Sequence, residues 1–188
     1  MKIVRTDMEL EVPLVDKTLV EWGHDLVLLP DGISEEELCK ELEDCYLLLM
    51  CYTPITGKVI DSAPMLKGIV KYGVGIDAIE IPAAHKRGIP VVNIPEYAEE
   101  TVAEGAFTLL IALVKKIPLL QTAMREEGWA WPTAQWLGSD IAGKTLGIIG
   151  CGKIGSSMAR MAGDGFSANV IGYDPYKSQE ELSEKGIT

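Results

Sequence analysis

Thr145-Leu146-Gly147-Ile148-Ile149 runs directly into Gly150-Cys151-Gly152-Lys153-Ile154-Gly155, and a second apolar stretch ends at Asp174. The order is strand, glycine-rich turn, helix, strand, then an acidic residue roughly twenty positions on, the arrangement a dinucleotide site requires. Gly150 permits the tight turn, and Gly152 lets backbone approach a pyrophosphate. Gly155 lets the helix pack close to the strand, with its N-terminal N–H groups facing the anion. Asp174 is placed to accept hydrogen bonds from the adenosine ribose hydroxyls, which favours NAD over NADP. The competing reading is a glycine turn with no ligand; the surrounding strand–helix–strand order argues against it.

Upstream of this unit, short apolar runs alternate with amphipathic stretches. Strands are expected at Lys2–Arg5, Leu26–Leu29, Tyr46–Met50, Ile69–Tyr72 and Val91–Asn93, and helices near Val15–Trp22, Ser34–Glu43, Gly57–Ser62 and Ile79–Arg87. Ser34-Glu35-Glu36-Glu37 is a capping-box start, and Gly23 and Gly88 read as residues that close helices. Such alternation predicts an α/β domain with a parallel sheet covered on both faces.

A long helix is expected over Thr101–Lys116, with Glu104 and Lys115-Lys116 suiting its dipole and Ala106–Val114 buried. Pro118 is expected to interrupt it and open an irregular segment reaching Gly143. Trp129, Trp131 and Trp136 fall there, three of the four tryptophans, and rings so concentrated more often fill an interface or a seam than a small core. Ser178–Lys185 reads as a further helix.

Composition narrows the function classes. The chain has 188 residues, 47% of them hydrophobic, and a net charge of −11. A nucleic-acid backbone is repelled by such a surface. No apolar run approaches the ~18 residues of a membrane span, and the first residues lack a signal-peptide core, so a cytoplasmic location is expected. Cys39, Cys45, Cys51 and Cys151 form no C-x-x-C pair, and His24 and His85 stand at no ligand-like spacing to them. Packing is the expected role of the cysteines, including Cys151 beside the glycine turn.

At Lys71-Tyr72-Gly73-Val74-Gly75-Ile76-Asp77, Asn93-Ile94-Pro95, Thr101-Val102-Ala103-Glu104 and Gly150–Gly155, the sequence resembles the D-isomer-specific 2-hydroxyacid dehydrogenases, phosphoglycerate dehydrogenase-like members above all. The resemblance covers essentially the whole chain. It implies a flavodoxin-like parallel-sheet substrate domain over residues 1–97, followed over 98–188 by the first part of a Rossmann NAD-binding domain. The Gly73-Val74-Gly75 loop then presents backbone N–H groups to a substrate carboxylate, and Asn93 is implied as a further substrate-binding residue. Without the resemblance, that loop reads as an ordinary strand-to-helix turn. Lys153 and Ile154 bind pyrophosphate, and Thr101 reaches the nicotinamide side or caps its helix. The long helix and tryptophan segment, 101–136, resemble an arm for two-fold dimers. The implied ligands are NAD and a small 2-hydroxy or 2-oxo acid.

The Arg, the His and the carboxylate through which such enzymes orient substrate and exchange a proton have no counterparts at matching positions among these residues. His85, before Arg87-Gly88, and His24, after Gly23, read as turn or solvent-facing residues. The chain by itself is therefore expected to be inactive. The alternative reading is a catalytically silent NAD-sensing or dimerisation module of the same fold.

Overall fold

The computed structural model describes residues 1–188, which divide into two compact units, Met1–Tyr97 and Ala98–Thr188. In the first, β1 (Lys2–Arg5), β2 (Asp25–Leu28), β3 (Leu47–Met50), β4 (Gly68–Lys71) and β5 (Val91–Val92) form one parallel sheet of order β2-β1-β3-β4-β5. The register pairs Ile3 with Leu26 and Leu47, and Ile69 with Leu48 and Val91. The helices are α1 (Pro13–Glu21), α2 (Glu35–Glu41), α3 (Gly57–Asp61) and α4 (Ile81–Lys86). Every strand follows the preceding one through a helix, the connection that parallel neighbours require.

Local chemistry sets the helix ends. Ser34 and Glu37 form the reciprocal capping box of α2, and Thr56 accepts from the Val59 amide to start α3. Gly23 and Gly88 follow α1 and α4 at φ of +78° and +66°, a region where L side chains are strained. Val4, Leu48, Met50 and Ile69 pack with Leu38, Leu42, Val59 and Ile60 into the core of this unit.

In the second unit, α5 (Glu99–Val114) is followed by α6 (Ile117–Glu127) and a short 3₁₀ turn, Ala134–Trp136. Pro118 starts a helix here instead of opening an irregular segment. Lys116 breaks α5 in the left-handed region at φ +55°, and proline in the first turn of α6 loses no hydrogen bond. The expectation for Ala106–Val114 also needs correction. Phe107 is buried, but Leu109 is 72% exposed and Leu113 is exposed with it, so α5 shows an apolar stripe to the surface.

β6 (Thr145–Ile149) and β7 (Asn169–Tyr173) pair in parallel, linked by α7 (Lys153–Arg160) and a π-type turn, Met161–Gly165. After α8 (Gln179–Ser183), which a second capping box on Ser178 begins, Thr188 donates to the Val170 carbonyl and accepts from the Gly172 amide. Those bonds set Thr188 in register beside β7. Leu146, Ile148 and Val170 face a core with Phe107, Ala159, Leu182 and Ile187. The opposite face carries Ile149, 91% exposed, with Ile171 and Tyr173, so this sheet is covered on one side and not on both.

Candidate functional site

The glycine turn of the second unit is built as its sequence demands. Gly150 has φ +89°, and its amide donates to the Tyr173 carbonyl at 2.8 Å. The next amide, Cys151, donates to the Asp174 carboxylate at 2.9 Å, while the Tyr176 amide donates to the other carboxylate oxygen at 3.0 Å. Asp174 is therefore held against the turn by backbone at both oxygens. An ionised carboxylate has about four acceptor positions, so about two remain.

The two other glycines differ in what they permit. A Cβ on Gly155 falls 2.2 Å from the Gly150 carbonyl oxygen, so only glycine lets α7 lie this close to β6. A Cβ on Gly152 meets nothing within 4 Å, which leaves the outer side of the turn open. The first backbone bond of α7 runs from Ser156 to Gly152 at 2.9 Å, so the amides of Ile154 and Gly155 ahead of it have no intrahelical acceptor. The Lys153 ammonium lies 3.8 Å from Glu99. Cys151 is fully buried, with its sulfur 2.7 Å from the point where a Gly172 Cβ would stand, a packing position.

Thr101 does not cap α5. Ala98 occupies the N-cap without a side-chain bond, and Thr101 is exposed on the first turn of the helix. Glutamates tie this turn to α7 instead: Glu100 accepts from Ser157 at 2.9 Å and from Arg160 at 2.6 and 2.8 Å.

In the first unit the Gly73-Val74-Gly75 loop leaves the C-terminal end of β4. Its amides donate to no backbone carbonyl. Asn93, just past β5, donates its side-chain amide to the Val74 carbonyl at 2.7 Å, and the Ile94 amide donates to the Gly73 carbonyl at 3.0 Å. The loop is thus pinned through its carbonyls while its N–H groups stay available. Both glycines have negative φ, so their value is room: a Gly73 Cβ would lie 3.1 Å from Lys71 Cε, and a Gly75 Cβ 3.2 Å from Asp77 Oδ2.

Beside this loop lies a polar cluster that sequence reasoning missed. Asp7, buried and at φ +57°, accepts from the amides of Cys51, Tyr52 and Thr53 and from the hydroxyls of Thr6 and Thr53. Burial alone would raise its carboxyl, but these donors outweigh that and hold it below the ordinary carboxylate value. In a sheet of order 2-1-3-4-5, the crevice between the first and third strands is the usual ligand position. Here the chain fills it with its own carboxylate, and the neighbouring loop after β4 keeps free donors. Lys71, at the end of β4, is 7% exposed and donates to the Cys51 carbonyl. Burial pushes the Tyr72 phenol up to about 12, and its hydroxyl donates to the Thr6 carbonyl at 2.6 Å. The one signal of this cluster in the sequence is charge closing an apolar strand, at Arg5-Thr6-Asp7 and again at Lys71.

His85 is exposed on the last turn of α4 and His24 is half-buried after Gly23. No group of three or more His, Cys, Asp or Glu side chains is disposed to hold a metal ion. No helix is long and apolar enough to cross a membrane.

Known proteins resemble this chain over most of its length. The family described as D-isomer specific 2-hydroxyacid dehydrogenase, catalytic domain, matches residues 6–184. Glyoxylate reductase of Korarchaeum cryptofilum is 35% identical over 182 residues, covering 94% of this chain and 54% of that protein. D-3-phosphoglycerate dehydrogenase of Methanocaldococcus jannaschii is 38% identical over 172 residues, covering 91% of this chain and 32% of that protein. Among solved structures, a protein from Thermus thermophilus superposes with a TM-score of 0.85 at 29% identity, covering 95% of this chain and 58% of its own. Aquifex aeolicus D-lactate dehydrogenase, complexed with NAD and lactic acid, gives 0.78 at 29% identity, with 99% and 55% covered. The chain spans about half or less of the length of these curated relatives.

Proposed function

The chain belongs to the D-isomer-specific 2-hydroxyacid dehydrogenase family, and on that premise we propose that it forms part of an NAD-dependent oxidoreductase interconverting a D-2-hydroxy acid and a 2-oxo acid. Residues 1–97 serve the substrate and residues 98–188 serve the cofactor. The observation that carries this reading is the Asp174 carboxylate seated on the Cys151 amide of a turn whose outer side is open at Gly152.

The residues fit the cofactor. The amides at the start of α7, those of Lys153 and Ile154 among them, suit the pyrophosphate, with Gly150, Gly152 and Gly155 shaping the approach. The two remaining acceptor positions of Asp174 match two ribose hydroxyls, and the same negative charge disfavours a phosphorylated ribose. Thr101, exposed on α5, serves the nicotinamide side. When bound, NAD supplies the hydride acceptor or donor. The chain's own contribution to substrate is orientation: the Gly73–Gly75 amides hold the carboxylate, and Asn93 fixes that loop through the Val74 carbonyl.

Neither histidine of the chain is placed to exchange the carbinol proton: His85 faces solvent and His24 lies before β2. General acid–base catalysis contributes about 10²–10⁴-fold, so the 188 residues alone bind NAD without turning over. The segment of residues 101–136, from α5 through the 3₁₀ turn, supports a homodimer through its exposed Leu109, Leu113, Trp129 and Trp131. A cytoplasmic location suits four free cysteines. Titration calorimetry of the chain with NAD tests the proposal, alongside an assay with NADH and pyruvate, glyoxylate or hydroxypyruvate. Heat of binding without turnover is expected. Absence of NAD binding at millimolar cofactor sinks the cofactor reading, and substantial turnover sinks the assignment of catalytic groups.

A further inference from the structure

Lys71 is the least explained charge in the first unit. Its side chain is nearly enclosed, and its ammonium finds only neutral partners: the Cys51 carbonyl, the Cys51 thiol at 3.6 Å and the Tyr52 ring at 5.2 Å from centroid to nitrogen. No carboxylate pairs with it. The nearby Asp7 carboxylate is spent on the amides of residues 51–53 and on two hydroxyls. A buried ammonium without a counter-charge is costly, and proteins that keep one usually gain by pairing it.

The position of that charge is specific. The side chain curls back under the loop that follows it, so a Cβ on Gly73 would stand 3.1 Å from Lys71 Cε and 3.4 Å from its ammonium nitrogen. Gly73 is therefore the residue that leaves room for this ammonium beside the start of the loop. Tyr52, 71% exposed, presents its ring face to the charge.

We infer that Lys71 is a substrate-binding residue whose ammonium, seated under Gly73, supplies the full positive charge that the Gly73–Gly75 amides lack, so that the loop selects an ionised carboxylate over a neutral carbonyl group of the same shape. The inference rests on the reading of Gly73–Gly75 as the carboxylate loop, and adds the residue that sets its charge preference. Backbone donors alone accept an amide or an acid; an ammonium beside them makes the contact charge-assisted, roughly twice as strong as its neutral counterpart.

The test is amide and lysine-ammonium NMR of the ¹⁵N-labelled 188-residue chain, titrated with oxalate and with its neutral isostere oxamide. Oxalate is expected to shift the Gly73 and Gly75 amides and the Lys71 ammonium with one common affinity, and oxamide to bind at least about tenfold more weakly. Lys71→Met is expected to weaken oxalate by about tenfold or more while leaving oxamide unchanged, and Lys71→Arg to restore the preference. A Lys71→Met chain that folds and binds oxalate as tightly as the native one overturns the role of Lys71 and leaves the carboxylate loop standing. Should Lys71→Met not fold, the native chain decides: a Lys71 ammonium that stays still while the Gly73 and Gly75 amides move overturns the inference. If oxalate moves neither amide in the native chain, the carboxylate-loop reading falls, and this inference with it.

Discussion

The Asp174 carboxylate accepts a hydrogen bond from the Cys151 amide at 2.9 Å, joining the tip of β7 to the turn that follows β6. This bond does two things. It fixes the carboxylate beside the start of α7, and with the Tyr176 amide on the other oxygen it leaves about two acceptor positions unused. Asp174→Ala removes the ribose acceptor and unties the turn together. ADP-ribose affinity, read by calorimetry, is expected to fall about 10- to 100-fold, and unchanged affinity would remove Asp174 from the site.

Two glycines of the same turn separate folding from binding. Gly155→Ala sets a methyl 2.2 Å from the Gly150 carbonyl oxygen, where backbone must move. Overpacking of that kind costs at least about 2 kcal/mol, visible as a lower urea midpoint. Gly152→Ala meets open space at an ordinary negative φ, so its stability should stay within about 0.5 kcal/mol of the native chain. Its added methyl stands where the cofactor is proposed to approach, so ADP-ribose binding should weaken. Equal unfolding midpoints for the two variants contradict the packing argument.

These glycines also show what the sequence made legible. The strand–turn–helix order, the capping box on Ser34 and the left-handed Gly23 and Gly88 all follow from local chemistry, and each appears where residue spacing put it. Local signals failed where distant contacts or neighbouring residues decide. Pro118 reads as a helix breaker, yet the left-handed Lys116 turns it into a helix starter. Of the two readings of Thr101, nicotinamide contact or helix cap, the cap fails, because α5 begins two residues earlier on glutamates that pair across to Lys153, Ser157 and Arg160. The Asp7 cluster bridges 44 to 46 positions, and nothing in Thr6-Asp7-Met8 announces its partners. Gly73 reads by itself as part of an ordinary strand-to-helix turn, and as clearance for a ligand only through the resemblance. It is equally clearance for Lys71.

The apolar stripe of α5 carries a prediction about assembly. Leu109 and Leu113 are four residues apart and so share a face of the helix, and both are largely exposed, as are Trp129 and Trp131 beyond α6. A surface of that kind marks an interaction site more often than a solvent face. Sedimentation equilibrium of the chain should give a dimer, and Leu109→Ser with Leu113→Ser should raise its dissociation constant by at least about tenfold. A native chain that stays monomeric at about 100 µM, where even weak dimers form, would remove the arm from the proposal.

Asp7 makes the stability of the first unit depend on pH in a defined direction. Its carboxyl is held below the ordinary value because the ionised form accepts the donors of Thr6, Cys51, Thr53 and Tyr52, against the cost of burial. A depressed folded value means that the unfolded chain binds the proton more readily. The stabilisation is therefore fully present above the unfolded value of about 3.9 and is lost as pH falls through the lower folded value. Urea midpoints measured between about pH 7 and pH 2 should hold level and then drop below about pH 4. Asp7→Asn keeps the size of the side chain, but its amide nitrogen faces an N–H donor that it cannot accept from. That variant should lose about 2 kcal/mol at neutral pH, and its midpoint should decline less steeply in acid because the titrating group is gone. If the two curves run parallel from about pH 7 to pH 2, the acid sensitivity belongs to other carboxylates and the Asp7 argument fails.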